Sequence, residues 1–462
     1  MRSPIPALCL MAALALWTTP PAGRAASAAE RTAPSMADFM GVCGHYFFDG
    51  PTYAPVARLA RNYHGLNWDL DVKRPYADPP YPLAMNRVDW QQVYGGWRKA
   101  GFDIDASIMF DPVAPADWLA PEEQAYRFGK AFGGFLGPSH AGLVATAELG
   151  NEPDKYSDQQ YTLVAHAMAR GLREADPRLR IATAALTLGP SGQYARSISC
   201  YDGWLDLIDV LNIHTYAIFG KWPNERRTYP EDPACDFLSR VRDLLAWRDA
   251  HAPGKQVWVT EFGWDAHRAE GAPLKEGVPI YERPSTISRL QQAQFLARAY
   301  LSFARIGVDR AYMYWYMDAP AEAGLHNASG LISSPDNHPA TGTKQPAFFA
   351  LASLQRNLGD YRFVSSLNED AAGVYAYLFE DAAGRACVAF WTPTLHGEER
   401  PFLLEPGKAG LSGRRVLSAL ELATSAAGDT PLPAPEAAAP VLTATGTPRL
   451  IFFSPKSPQG AR

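Results

Sequence analysis

The sequence predicts an α/β fold: a (β/α)8 barrel followed by a small C-terminal β-sandwich. Three observations predict it. From about residue 39 to about 358, short apolar, β-branched runs alternate with longer segments whose apolar residues recur at helical spacing, which implies parallel strands joined by crossover helices. Eight such runs can be picked out, the number that closes a barrel. Beyond about residue 360 the texture changes to short alternating runs split by Gly, Pro, Asn and Asp, as in an antiparallel sandwich.

The chain has 462 residues, of which 47% are hydrophobic and 20% charged. That supports a large core, and the length accommodates a barrel of about 250 to 300 residues with a second module of about 100. The net charge of −5 leaves no electrostatic footprint for nucleic acid.

The strand candidates are Phe39–Phe47, Gly65–Val72, Phe102–Phe110, Leu143–Glu148, Ile181–Leu186, Val210–Tyr216, Val257–Phe262 and Ala311–Met317. Helical spacing falls on Tyr53–Tyr63, Trp90–Ala100, Pro121–Phe135, Tyr161–Ala175, Phe237–Ala250, Ile287–Ile306 and Gln345–Leu358. An open doubly wound sheet would ask for a glycine-rich dinucleotide turn after the first strand, and none is there. The segments Ala217–Ala234, Asp265–Pro284 and Asp318–Thr343 follow strands and are long; in a barrel they wall the catalytic face. Ala423–Ala439, rich in Ala and Pro, reads as a surface excursion.

The N-terminus reads as an export signal. Arg2 precedes the apolar stretch Ala7–Trp17, and Ala26-Ser27-Ala28 fits a small-x-small cleavage site. A retained anchor is the alternative, but the stretch is too short for a stable span. The expected organisation is therefore a signal peptide over 1–28, a barrel over 29–360 and an accessory β-sandwich over 361–462, in a secreted or periplasmic protein with no stable membrane span after cleavage. Export permits disulfides, and Cys200 with Cys235, flanking one predicted strand, is the preferred pair. No Cys/His spacing suggests a metal.

Two strings carry the chemistry. Glu148-Leu149-Gly150-Asn151-Glu152-Pro153 and Val259-Thr260-Glu261-Phe262-Gly263-Trp264 each place a glutamate at the end of a buried strand, the fourth and the seventh. Those strands lie across a barrel from one another, and a barrel keeps its chemistry at the C-terminal strand ends. Two facing carboxylates are what glycosidic bond cleavage requires. No metal or organic cofactor is needed for that chemistry.

Asn151-Glu152-Pro153 resembles the acid/base signature of glycoside hydrolase clan A, and Thr260-Glu261-Phe262-Gly263 resembles its nucleophile strand. Asn212-Ile213-His214-Thr215-Tyr216 is similar to the clan's sixth strand and Tyr312-Met313-Tyr314-Trp315-Tyr316 to its eighth. The layout with a C-terminal sandwich looks most like family 39 and its neighbours. The resemblance implies a retaining β-glycoside hydrolase acting on a polysaccharide or oligosaccharide. Glu152 would be acid/base and Glu261 nucleophile, with Asn151 on the sugar 2-hydroxyl, His214 and Tyr216 at the carboxylates and Trp315 flooring the site. Tyr216 is the candidate donor that keeps Glu261 ionised while Glu152 holds a proton. A non-catalytic sugar-binding barrel, or a transglycosylase using the same carboxylates, are the alternatives.

The abundant Trp and Tyr suit stacking on sugar faces as well as a large core. His45 and Trp68, at the ends of the first two predicted strands, and Trp264, after the nucleophile, are further cleft candidates. The clan often sets an arginine at the end of strand two. With that strand over Gly65–Val72, the nearest is Arg74, far along, and Asp69 or Asp71 would take part instead. The sequence leaves oligomeric state open.

Overall fold

In the computed structural model eight parallel strands close on themselves: β1 Met40–Gly44, β2 Leu59–Gly65, β3 Asp103–Met109, β4 Thr146–Glu148, β5 Arg180–Thr187, β6 Val210–His214, β7 Gln256–Phe262 and β8 Arg310–Met313. Each pairs with the next, β8 pairs with β1, and β4 pairs with β5, so no edge is left open. The structure describes residues 31–44, 46–47, 50–74, 77–266, 277, 285–318, 328–333, 342–369, 373–435 and 440–456. The expected signal segment 1–28, and most of the expected walls Asp265–Pro284 and Asp318–Thr343, lie outside them.

Strand alternation sorts the barrel into two faces. Val42, Ala60, Ile104, Ile108, Leu211, Ile213, Val257 and Val259 face outward into the main core beneath the helices. Inside, Cys43, Leu59, Val210, Trp258 and Tyr312 form a separate apolar plug. Two residues further along β2, β6 and β7 the inward positions turn polar: Arg61, Asn212 and Thr260 are all fully buried. The plug leaves the C-terminal mouth as the end where polar chemistry is assembled.

The main helices are Trp90–Lys99, Pro121–Leu136, Asp158–Ala175, Ser239–His251, Arg289–Ile306 and Pro346–Leu358. Two of them start on capping boxes, Ser157 with Gln160 and Ser288 with Gln291, which satisfy backbone N–H groups that the first turn leaves free. No helix among the described residues is long and apolar enough to cross a membrane.

The second strand corrects the sequence reading. It is Leu59–Gly65, not Gly65–Val72, and Leu66–Asp69 forms one helical turn. The expected helix over Tyr53–Tyr63 is accordingly half strand. The alternation of Leu66, Trp68, Leu70 and Val72 with Asn67, Asp69 and Asp71 imitates a half-buried strand. The true strand carries Arg61, Asn62 and His64 instead, because its inner face serves the barrel mouth. The cysteine expectation is also overturned: Cys200 and Cys235 are free thiols. Strand β6 runs between their segments, and Cys235 Sγ instead meets Asp232 O at 3.4 Å.

After residue 361 a six-stranded antiparallel sheet forms in the order Arg362–Glu369, Tyr375–Glu380, Ala386–Trp391, Arg449–Phe453, Val416–Glu421, Thr430–Leu432. A separate antiparallel pair, Arg400–Leu403 with Val441–Ala444, completes the sandwich. Thr430–Leu432 falls inside the stretch expected to be a plain excursion. On one sheet face Tyr377, Phe379, Cys387, Ala389 and Trp391 join the main core. On the other, Ala376, Leu378, Val388 and Phe390 form a local core with Phe402 and Leu404. Glu231, in the loop after β6, ties the two parts: it accepts from Trp391 Nε1 at 2.6 Å and pairs with Arg298 of the helix Arg289–Ile306.

Candidate active site

Four strands deliver the polar groups to one mouth. In β7 the inward positions by strict alternation are Trp258 and Thr260, which would turn Glu261 out toward the helices. A register shift between Val259 and Glu261 breaks the alternation, and a bulge of this kind re-aims the side chain that follows it. Thr260 and Glu261 therefore both face the barrel interior. Gly263 follows, and a Cβ there would stand 2.3 Å from Tyr314 O, so only glycine lets β7 and β8 approach this closely. In the fourth unit, Glu148 ends the strand and faces inward. Gly150, at φ +99°, turns the chain so that Asn151 and Glu152 reach the mouth.

Glu261 is the most heavily held group. Arg61 Nη1 donates to its Oε1 at 2.9 Å and Tyr63 Oη at 2.7 Å, while Tyr216 Oη donates to Oε2 at 2.9 Å. Burial alone would push this carboxyl up. The charges of His214 and Arg61 and the two tyrosine hydrogen bonds outweigh burial and hold it at about 2. Glu152 behaves oppositely: burial raises it, the charge of Glu261 adds to the rise, and the hydrogen bond with His214 only partly offsets them. One carboxyl is thus ionised at any ordinary pH while its neighbour is biased toward holding a proton.

His214 stands between them. Its Nδ1 is 2.8 Å from Glu152 Oε1 and 3.6 Å from Glu261 Oε2, and its Nε2 is 3.1 Å from Thr260 Oγ1. Burial disfavours the imidazolium, but the two carboxylates outweigh it and raise His214. Arg61, fully buried, also donates to Glu148 Oε2 at 2.8 Å and to Asn151 Oδ1 at 2.8 Å. A cavity of about 330 Å³ opens over these groups, lined by Tyr63, Met109, Asn151, Glu152, Glu261, Tyr314 and Trp315. The rings of Tyr314 and Trp315 lie parallel, 4.8 Å apart. Asp111, after β3, is a third carboxyl near Glu152; burial, with the charges of Asp154 and Glu152, raises it to about 6.

One donor atom each from Glu152, His214 and Glu261 fall within 4.8 Å of one another. This constellation does not suit a cation. The Arg61 guanidinium already sits on Glu261, whose oxygens also accept from Tyr63 and Tyr216, and Glu152 Oε1 faces His214. What it suits is acid–base and nucleophilic work by two unlike carboxyls.

No family model matches the sequence, and no curated protein matches it. Solved structures do. A family 39 glycoside hydrolase from the gut symbiont Bacteroides cellulosilyticus WH2 aligns with a TM-score of 0.64 at 17% identity, over 91% of this chain and 81% of its own. A glucosidase from Croceicoccus marinus gives 0.59 at 14% identity, over 92% and 98%. The catalytic domain of GH30 xylanase C from Talaromyces cellulolyticus gives 0.56 at 15%, over 92% and 98%. The chain shares the barrel architecture of these solved structures. At this level of identity the likeness is one of architecture, and the side chains must speak for themselves.

At the mouth of that barrel the structure brings together Asn151, Glu152, His214, Tyr216, Glu261 and Trp315 from the sequence reading. Others it places elsewhere. Trp264 is 2% exposed, donates to Thr228 O and packs on Phe237 and Phe295; past the bulge its position points into the outer core, so it does not line the cavity. Asp69 is buried beside β2, accepting from Trp90 Nε1 at 2.8 Å and Tyr81 Oη at 2.9 Å, with His64 Nε2 at 2.5 Å. It braces an aromatic cluster and does not reach the carboxyl pair. Trp68 stacks on Trp90 and meets Tyr46 edge-on, and it is not among the seven cavity residues. His45 lies outside the described residues. Arg61 and Tyr63 were missed with the second strand. Their signal was an inward i, i+2 pair in Leu59-Ala60-Arg61-Asn62-Tyr63, between the runs of β1 and β3.

Proposed function

We propose that the chain is a retaining β-glycoside hydrolase of polysaccharides or oligosaccharides, with Glu261 as nucleophile and Glu152 as acid/base. The observation that carries this reading is the pairing of unlike carboxyls, within 4.8 Å of each other and of His214. Retaining enzymes hold their carboxyl groups about 5 to 5.5 Å apart, whereas inverting ones leave about 6.5 to 9.5 Å for a water.

Glu261 attacks the anomeric carbon while Glu152 gives its proton to the leaving oxygen, breaking the glycosidic bond and forming a glycosyl ester on Glu261. The loss of negative charge at Glu261 lowers Glu152's affinity for a proton. Glu152 then takes a proton from water, and the resulting hydroxide displaces Glu261 from the anomeric carbon. Asn151, its Oδ1 fixed by Arg61, turns its Nδ2 away from the guanidinium, where a sugar 2-hydroxyl can accept. The Trp315 ring, at the cavity wall, offers a face to the sugar. The N-terminal signal pattern supports export, which N-terminal sequencing of a periplasmic or secreted form checks. The sandwich supports the barrel by covering apolar surface of Arg289–Ile306.

The test is reducing-end release from a broad polysaccharide panel by the wild type, Glu152→Ala and Glu261→Ala. The expected result is release by the wild type alone. Activity that survives Glu261→Ala overturns the assignment of the nucleophile. Retention on polysaccharide without release by any form favours a sugar-binding barrel.

A further inference from the structure

Beneath the two carboxyls runs a chain of hydrogen bonds in which every donor can be assigned. Asn212 Nδ2 meets Glu148 Oε1 at 2.5 Å and Thr183 O at 3.3 Å. Both partners only accept, since Glu148 is also bound by Arg61, so the amide orientation of Asn212 is fixed. Its Oδ1 can only accept, so the hydroxyl of Thr260, which contacts it, must donate. That hydroxyl has one proton and has spent it. Its oxygen therefore accepts from His214 Nε2, 3.1 Å away, and Nε2 must carry hydrogen. His214 Nδ1 faces Glu152 Oε1 at 2.8 Å, and a bond there requires a single proton between the two atoms.

We propose that Thr260, Asn212 and Glu148 are positioning residues that lock His214 in its Nε2–H form, so that its Nδ1 shares one mobile proton with Glu152. This rests on the glycosidase reading for its consequence but not for its test. Without the lock the neutral ring can place hydrogen on Nδ1 and donate it to an ionised Glu152, leaving no acid for the leaving group. With the lock, a neutral ring accepts from Glu152, and Glu152 keeps the proton it must deliver. Charge favours the same count. Glu261 Oε2 lies 3.6 Å from His214 Nδ1, and its negative charge opposes loss of the shared proton from the His214–Glu152 pair. The other groups facing the pair are Tyr63 from β2, Tyr216 after β6, Tyr314 after β8 and Asp111 after β3. None of them meets Nε2, whose partner is Thr260. The anchoring is deep: Glu148, Asn212 and Thr260 are all fully buried, so water cannot substitute for a lost member.

The test is nitrogen-15 NMR of the full chain without substrate, with the His214 signals identified by their loss in His214→Gln. The expected spectrum has Nε2 protonated and Nδ1 either unprotonated or sharing a proton. Thr260→Ser should keep that spectrum, and Thr260→Val, of the same shape without the hydroxyl, should shift Nδ1 toward the protonated form. In kcat/KM, which reports the steps up to the glycosyl ester, Thr260→Val should slow an alkyl β-glycoside by more than about tenfold while sparing a 2,4-dinitrophenyl β-glycoside, whose leaving group needs no acid. A wild-type spectrum with Nδ1 protonated and Nε2 bare overturns the proposal, even if Thr260→Val does not fold. Equal slowing of both glycosides overturns its catalytic consequence. Absence of any glycosidase activity leaves the spectrum to decide the lock and counts against the functional reading alone.

Discussion

Arg61 holds Glu261 at 2.9 Å through Nη1 and Glu148 at 2.8 Å through Nε. One buried guanidinium thus joins the nucleophile candidate to the polar floor of the barrel. Its planar fork suits two carboxylates at once, which a lysine ammonium cannot match.

Arg61→Met should therefore cost stability as well as activity. It strands Glu148, which is fully buried, and breaking a buried pair from one side costs about 3 to 5 kcal/mol. Urea unfolding checks the stability, and kcat/KM should fall with it. Arg61→Lys should recover part of the stability and little of the rate.

Tyr63→Phe and Tyr216→Phe each remove one donor from Glu261, on opposite oxygens. A hydrogen bond to a charged group contributes about 1.5 to 3 kcal/mol, so each change should lower kcat/KM by about 10- to 160-fold. Each should also raise Glu261. Its folded value of about 2 lies below the ordinary carboxylate range, so ionised Glu261 stabilises the fold at neutral pH, and that stability is lost as pH falls from the carboxylate range toward 2. In either variant the loss should still begin in the carboxylate range but end at a higher pH and be smaller in total, which acid unfolding curves will report.

Residues of the catalytic face were legible where chemistry and strand pattern agreed. Glu152 and Glu261 stood at the ends of apolar runs, and His214 and Tyr216 shared one side of a strand. The second strand was not legible because its inner face is polar: Arg61 and Tyr63 serve the mouth, while Leu66, Trp68 and Leu70 just beyond it alternate like a strand and form a turn of helix and a loop. Trp264 was misplaced for a different reason. The bulge at Glu261 moves every later residue of β7 to the other face, and no periodicity in the sequence announces it. Asp69 followed from the same displaced strand.

The pH dependence of kcat/KM should fall on the alkaline side as the shared proton of Glu152 and His214 is lost. Both groups are raised from their ordinary values, so the fall should lie above the carboxylate range and be described by the pair, not by either residue alone. Glu152→Gln should abolish that limb, and an alkaline limb that persists unchanged would assign it to another group.

Glu231 links the barrel to the sandwich, buried between Arg298 and Trp391, and Arg298 Nη1 also donates to Thr394 O at 3.0 Å. Glu231→Ala leaves Arg298 charged and unpaired in the interior, which should cost about 3 to 5 kcal/mol. Calorimetry should find a lower transition temperature, with barrel and sandwich still unfolding together.

The stereochemistry of cleavage separates two displacements from one. Proton NMR of a fresh digest of a β-linked substrate, read before mutarotation, identifies the anomer first released. Two displacements, at Glu261 and then by water, predict the β-anomer. First release of the α-anomer would mean a single displacement, and Glu261 could not be the nucleophile.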